Sequence, residues 1–170
     1  MTDELKTVPH VDLTRYLGTW YEIARKPMRY EDATARDITA TYELDGEGAI
    51  RVLNSCIDAD GNVDVAEGQA RPVDAGNARL EVSFLPQGLR WIPFAKGDYW
   101  ILRLDEDYTT ALVGEPGRKY LWLLHRAPQM DFAAKHEWLD FAQLRGYDLD
   151  DLIFPSQSGS VHREEELVPP

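Results

Sequence analysis

Asp58, Asp60, Asn62 and Asp64 occupy alternate positions of one acidic stretch, the spacing with which a calcium loop presents oxygen ligands. The glycine falls at the fourth position instead of the sixth, and Gln69 stands where a closing glutamate would sit, so the stretch reads as a hairpin turn. His136 is followed by Glu137 but by no second histidine at the helical spacing that holds zinc. The four histidines show no zinc-ligand spacing, and the single cysteine, Cys56, excludes an intrachain disulfide or a CxxC knuckle. With only Arg51 as a basic neighbour in sequence, Cys56 reads as an inert, inward-facing thiol rather than a nucleophile. No serine sits in a G-x-S-x-G elbow and no glycine-rich phosphate loop is present. Enzymatic chemistry would need polar groups converging from different segments, with Glu22, Tyr42, Asn54 and Arg103 as candidates. Glu22 by itself reads as a buried, paired carboxylate. No catalytic residue, metal or cofactor is assigned on this basis.

The chain has 170 residues, 44% of them hydrophobic, which suits one domain with a true core. A net charge of −12 repels phosphate backbones, so binding of nucleic acid through a general basic face is excluded. The first residues lack a basic segment followed by an apolar run, and no stretch approaches the ~18 apolar residues needed to cross a bilayer. The expected location is therefore cytoplasmic and soluble, or the periplasm and outer membrane if a leader precedes the chain.

Most of the chain carries strand chemistry. Short runs rich in β-branched and aromatic residues, many of them alternating, are separated by turn signals such as Asp45-Gly46, Asp60-Gly61-Asn62, Gly76-Asn77 and Glu115-Pro116-Gly117. Turns recur every 8–12 residues or so, which points to an antiparallel meander rather than βαβ units. About eight such strands can close into an up-and-down barrel, which removes exposed edges and leaves room for one small ligand. An open sandwich is the structural alternative. One helix is expected over 131–146, capped by Asp131, stopped by Gly146, and docked on the sheet through Ala134, Trp138, Phe141 and Leu144. The domain reading is a lead-in over 1–11, a barrel with its helix over 12–155, and a flexible tail over 156–170.

The most specific segment runs from Asp12 to Ala24 and contains Gly18-Thr19-Trp20; Gly18 permits a sharp bend into the first strand. Asp107-Tyr108 and, after Tyr120-Leu121-Trp122-Leu123-Leu124, Arg126 follow far along the chain. These three signatures, in this order, resemble the lipocalin family, most closely its bacterial outer-membrane lipoprotein branch, with plant temperature-induced lipocalins and apolipoprotein D as relatives. The resemblance runs from about Asp12 to Pro155. It implies an all-β, eight-stranded antiparallel barrel with one outer helix and non-enzymatic carriage of a hydrophobic or amphiphilic molecule. A fatty acid, lysophospholipid or phospholipid is the expected cargo. It also implies a homodimer in some members, and leaves transient membrane contact open. Gly18, Trp20, Asp107, Tyr108 and Arg126 then seal the base, with the Arg126 guanidinium over the Trp20 indole. The chain departs from that branch in lacking a lipidated N-terminal cysteine and in the length of its Trp91–Trp100 segment.

An alternating strand count starting at Trp20 places all three signatures at one end, so the opposite loops form the mouth. Parity then assigns an apolar pocket: Ala24 and Met28 from the first strand, Ala40 and Tyr42 from the second, Val52 and Asn54 from the third. Ala66, Gly68 and Ala70 form a row of small residues on the fourth, followed by Val82 and Phe84 on the fifth. Trp100 and Leu102 are placed inside on the sixth because Arg103 prefers water; Trp122 and Leu124 share parity with Arg126. Trp91 and Phe94 lie in an apolar mouth loop, and Arg29, Arg36, Arg90 and Lys96 are rim cations suited to a carboxylate or phosphate headgroup. The enzyme alternative on the same barrel is an isomerase or peroxidase-like activity on a lipid or pigment.

Overall fold

The computed structural model describes residues 4–27, 34–46, 48–84 and 96–162. The alternating segments form eight strands: β1 (Gly18–Arg25), β2 (Arg36–Leu44), β3 (Ile50–Ile57), β4 (Val63–Pro72), β5 (Arg79–Phe84), β6 (Lys96–Leu104), β7 (Thr110–Gly114) and β8 (Leu121–His125). Each pairs antiparallel with its neighbour in sequence, and β8 pairs back with β1 to close a barrel. No strand edge is left over, which is the physical advantage of closure over the sandwich alternative. A one-turn helix α1 (Leu13–Tyr16) precedes β1, with the Asp12 carboxylate accepting from the Thr14 N–H.

Helix α2 (Phe132–Leu144) falls where expected, with the Asp131 side chain accepting from the Ala134 N–H. Its buried residues are Trp138 and Ala142, which pack with Ile23, Leu102, Leu112, Leu121, Leu123 and Tyr147 in a second core outside the barrel wall. Leu144, expected on the docking face, is exposed instead: the buried face is centred on Trp138 and Ala142, and Leu144 lies two residues, about 200°, around the helix from Ala142.

The base is closed by one cation. The Arg126 guanidinium lies 3.8 Å from the Trp20 ring centroid. It donates from Nε to the Tyr108 carbonyl (3.1 Å), from Nη1 to Thr19 (3.2 Å), and from Nη2 to Arg15 (3.0 Å) and Tyr16 (3.3 Å). The Trp20 indole N–H donates to the Tyr16 carbonyl at 2.9 Å, so plug, first strand and last strand share one network. Gly18 has φ +102°, and a Cβ there would stand 3.1 Å from Arg126 Nη1, so both the bend and the guanidinium require glycine. The carboxylate that ties the β6–β7 turn is Asp105, which accepts from the Thr109 and Thr110 N–H groups; Asp107 is exposed.

The described residues on either side of the barrel strands are packed against the barrel. The segment before α1 crosses the base, with Val11 fully buried and its N–H donating to Gly76. Residues 156–162, expected to fray, dock at the seam where β1 leaves β2. The Asp37 carboxylate accepts from the Ser158 N–H (2.7 Å), the Ser158 hydroxyl (2.8 Å) and His162 (2.9 Å). Burial works against the Asp37 charge, but those partners outweigh it and hold the carboxyl below its usual range.

Replacing Arg126 with alanine exposes four carbonyls and the Trp20 face together. We expect a loss of about 2–4 kcal/mol in urea unfolding, with Arg126→Lys recovering the charge but under half of that loss, because an ammonium lacks the fork. Equal stability of the lysine variant and wild type would contradict the account of the base.

Candidate functional site: the bore of the barrel

Antiparallel partners share a face, so pairing fixes which side chains look into the bore. The rows Trp20–Ala40–Asn54–Ala66 and Tyr42–Val52–Gly68–Phe84 run around it, joined by Ala70, Leu80, Val82, Val113, Trp122 and Leu124. Ala40, Tyr42, Val52, Asn54, Ala66, Gly68, Ala70, Val82, Phe84, Trp122 and Leu124 therefore lie on the inner face, as parity predicts. The row of small residues is not simply empty: a Cβ on Gly68 would stand 2.9 Å from the Phe84 ring and 2.5 Å from the Ser83 carbonyl, so the phenyl group uses that room.

Three expected pocket residues face the other way. β1 carries a bulge between Glu22 and Ala24, which turns Ile23 and Ala24 outward together and returns Arg25 to the bore opposite Trp122. β6 carries a second bulge between Ile101 and Arg103. Leu102 and Arg103 both point out, so the outward position of Arg103 says nothing about Trp100. Tyr99 and Ile101 are the inward residues; Trp100 lies outside beneath the Arg79 guanidinium (4.2 Å), and Leu102 packs in the outer core. A bulge inserts one residue and reverses the alternation beyond it, and neither bulge has a sequence signal such as glycine. Arg103 lies on Trp138 (4.3 Å) and pairs with Glu137 (2.9 Å), away from Glu22, Tyr42 and Asn54. The four polar groups proposed for catalysis therefore do not converge.

Met28, Arg29, Arg90, Trp91 and Phe94 lie outside the described residues. Arg36 is exposed at the mouth, and Lys96 pairs with Glu81 at 3.1 Å. Lys26 is taken up by Asp151 (2.6 Å) and the Asp148 carbonyl. The Asp58 carboxylate accepts the Asp60 and Asn62 N–H groups, as a hairpin turn requires, and among the described residues no group of His, Cys, Asp and Glu side chains could hold a metal.

Sequence reasoning missed the floor. Tyr42 on β2 and Tyr99 on β6 come from opposite walls, and their hydroxyls meet at 2.8 Å; the Tyr16 hydroxyl from the plug joins Tyr99 at 2.7 Å. Burial pushes all three phenols up, so they are neutral. A void of about 10 Å³ lies among Leu13, Tyr16, Tyr42, Ile50, Ala70, Leu80 and Tyr99, room for at most one water. The base half is thus filled. Nearer the mouth, Asn54, Phe84 and Trp122 face inward yet remain only half-buried.

A lipocalin-like domain profile matches residues 11–157. The chain belongs to the lipocalin family. It is similar to temperature-induced lipocalin-1 of Arabidopsis thaliana, 39% identical over 91% of this chain and 84% of that one. It is also similar to the outer membrane lipoprotein Blc of Escherichia coli, 40% identical over 90% of this chain and 83% of that one. Among solved structures, insecticyanin from the tobacco hornworm superposes with a TM-score of 0.69 at 19% identity, covering 93% and 87% of the two chains. Lobster apocrustacyanin A1 superposes at 0.66 and 15% identity, covering 85% and 79%. Lipocalins bind small hydrophobic molecules, and the family's members are in general binding and transport proteins.

The lipocalin bore also holds an ion pair. Glu22 and Arg25 are 4% and 0% exposed, and Arg25 Nη1 donates to Glu22 Oε2 at 3.1 Å. Burial pushes the Glu22 carboxyl up to about 7, with Arg25 pulling the other way. Ser158, Asp37 and His162 make no nucleophile, since the serine hydroxyl donates its proton to Asp37 Oδ2, the same oxygen that His162 Nε2 engages.

A raised carboxyl stabilises the fold below its ordinary value near 4.5, and that contribution is lost as pH rises through about 7. Urea-unfolding free energies of wild type and Glu22→Gln, followed from pH 4 to 8 or so, should therefore diverge. The wild type is expected to lose stability relative to the glutamine variant as pH rises through that window; parallel curves would refute the assignment.

Proposed function

We propose that this lipocalin carries an amphiphile with a long acyl chain, a fatty acid or a lysophospholipid, in the bore on the mouth side of Tyr42 and Tyr99. One observation carries the reading: inward side chains that are apolar, surrounded by wall, and still accessible, Phe84 and Trp122 foremost. An apolar lining takes up methylenes at about 0.8 kcal/mol each, enough for micromolar binding after the cost of association. Such a lining reads chain length and girth more than identity, so specificity is loose.

The headgroup sits at the rim, where Arg36 offers a cation and Lys96 would have to exchange Glu81 for the ligand. Likeness to the outer membrane lipoprotein Blc favours a periplasmic or outer-membrane setting. No helix among the described residues is long and apolar enough to cross a membrane. The enzyme alternative is less well supported, because Arg103 faces away from the bore.

Native mass spectrometry of protein purified without detergent, followed by solvent extraction, should recover an acyl lipid. Added oleate should change tryptophan emission with a midpoint in the micromolar range, and Trp122→Phe should remove most of the change. Absence of any co-purified amphiphile together with flat emission on titration would defeat the proposal.

A further inference from the structure

We propose that the Tyr42–Tyr99 crossbar is a recognition floor that accepts the buried end of the ligand when this end carries a neutral hydroxyl or carbonyl oxygen. The inference rests on the acyl-ligand reading above and adds to it a preference at the end of the ligand remote from the mouth.

Tyr16, Tyr42 and Tyr99 bring three hydroxyl protons and make two hydrogen bonds, both through the Tyr99 oxygen. Tyr99 has one proton to give, so it cannot donate to both neighbours. Whichever way the bonds run, one proton is left over. It sits on Tyr16 if both bonds point toward the plug, on Tyr42 if both point toward β2, and on Tyr99 if both neighbours donate to it. On the plug side the void is bounded otherwise by Leu13, Ile50, Ala70 and Leu80, whose side chains offer no acceptor. Tyr42 and Tyr99 stand on the inner faces of β2 and β6, so their bonded hydroxyls span the bore at that level.

An oxygen on the ligand end selects the two arrangements that place the spare proton on Tyr42 or Tyr99. A methyl end leaves that proton without an acceptor, a mismatch that costs about tenfold in affinity for one neutral hydrogen bond. A charged end fits badly. Arg126 beneath the trio is already committed to four carbonyls and the Trp20 face. Neutral phenols cannot repay the dehydration of an anion.

The test compares palmitic acid with ω-hydroxypalmitic acid on wild type and on the triple variant Tyr16→Phe/Tyr42→Phe/Tyr99→Phe, which keeps the rings and removes all three hydroxyls together. The expected result is that the ratio of the two dissociation constants shifts about tenfold against the hydroxy acid in the variant. An unchanged ratio, or an equal loss for both acids, overturns the recognition floor and leaves the trio as scaffold. A second reading needs no variant. The carbonyl stretch of a palmitic acid bearing a ketone beside its terminal methyl should lie lower when bound to wild type than in dry hydrocarbon, and a band at the hydrocarbon position overturns the proposal. Failure of both unsubstituted and hydroxy acids to bind wild type would instead bring down the acyl-ligand reading, and this inference with it.

Discussion

A single guanidinium holds one end of this barrel shut. Arg126 has no carboxylate among its partners; its charge is spread over an indole face and four carbonyl oxygens contributed by α1, β1 and the β6–β7 turn. Three of those carbonyls, from Arg15, Thr19 and Tyr108, gain a side-chain donor in this way, and the Tyr16 carbonyl shares the guanidinium with the Trp20 indole N–H. Desolvation lowers the arginine's proton affinity, and the neighbouring tyrosines and Asp105 act against that. The arrangement needs a planar donor with several N–H groups that also stacks, which a lysine cannot supply. Because the base is tied in this way, the plug residue Tyr16 is presented to the bore at a fixed height, and the tyrosine floor follows.

Polar groups inside the barrel are handled locally. Glu22 and Arg25 sit three residues apart on one strand and face one another only because the bulge between them restores a shared side. The three phenols are joined to each other across the bore instead of to the wall. Both devices let an otherwise apolar lining contain oxygen and nitrogen without exposing a bare charge to the ligand space. The same β1 bulge coincides with the point where β1 stops pairing with β2 and takes Ile153 as a partner, so the C-terminal segment completes the wall where the ladder divides. The result is a closed surface assembled from eight strands and a docked strap.

Much of this was legible in the residues. Alternation, turn chemistry and the Gly18, Trp20, Tyr108 and Arg126 positions were sufficient for the barrel, its polarity and the contact that seals it. On β2, β3, β4, β5 and β8 the inward face followed from parity, since no bulge separates the residues concerned from the base. Parity failed at Ala24, Trp100 and Leu102, each beside a bulge that no glycine or proline marks. Parity offers no reading outside the strands: Leu5, Val11 and Ser158 carry little periodicity, and their burial or bonding comes from surfaces formed by distant strands.

What the amino-acid order determined alone was the set of local choices: where the chain extends, where it turns, which face of most strands is greasy, and that a cation and an indole recur at one end. These depend on neighbours a few residues apart. Tertiary structure decided which hydroxyls meet across the bore, which carboxylate is driven up by burial, and how far the small side chains leave room. Those outcomes depend on the shear and bulging of the closed sheet, which bring residues such as Tyr42 and Tyr99 together from opposite walls, and no local spacing encodes that distance.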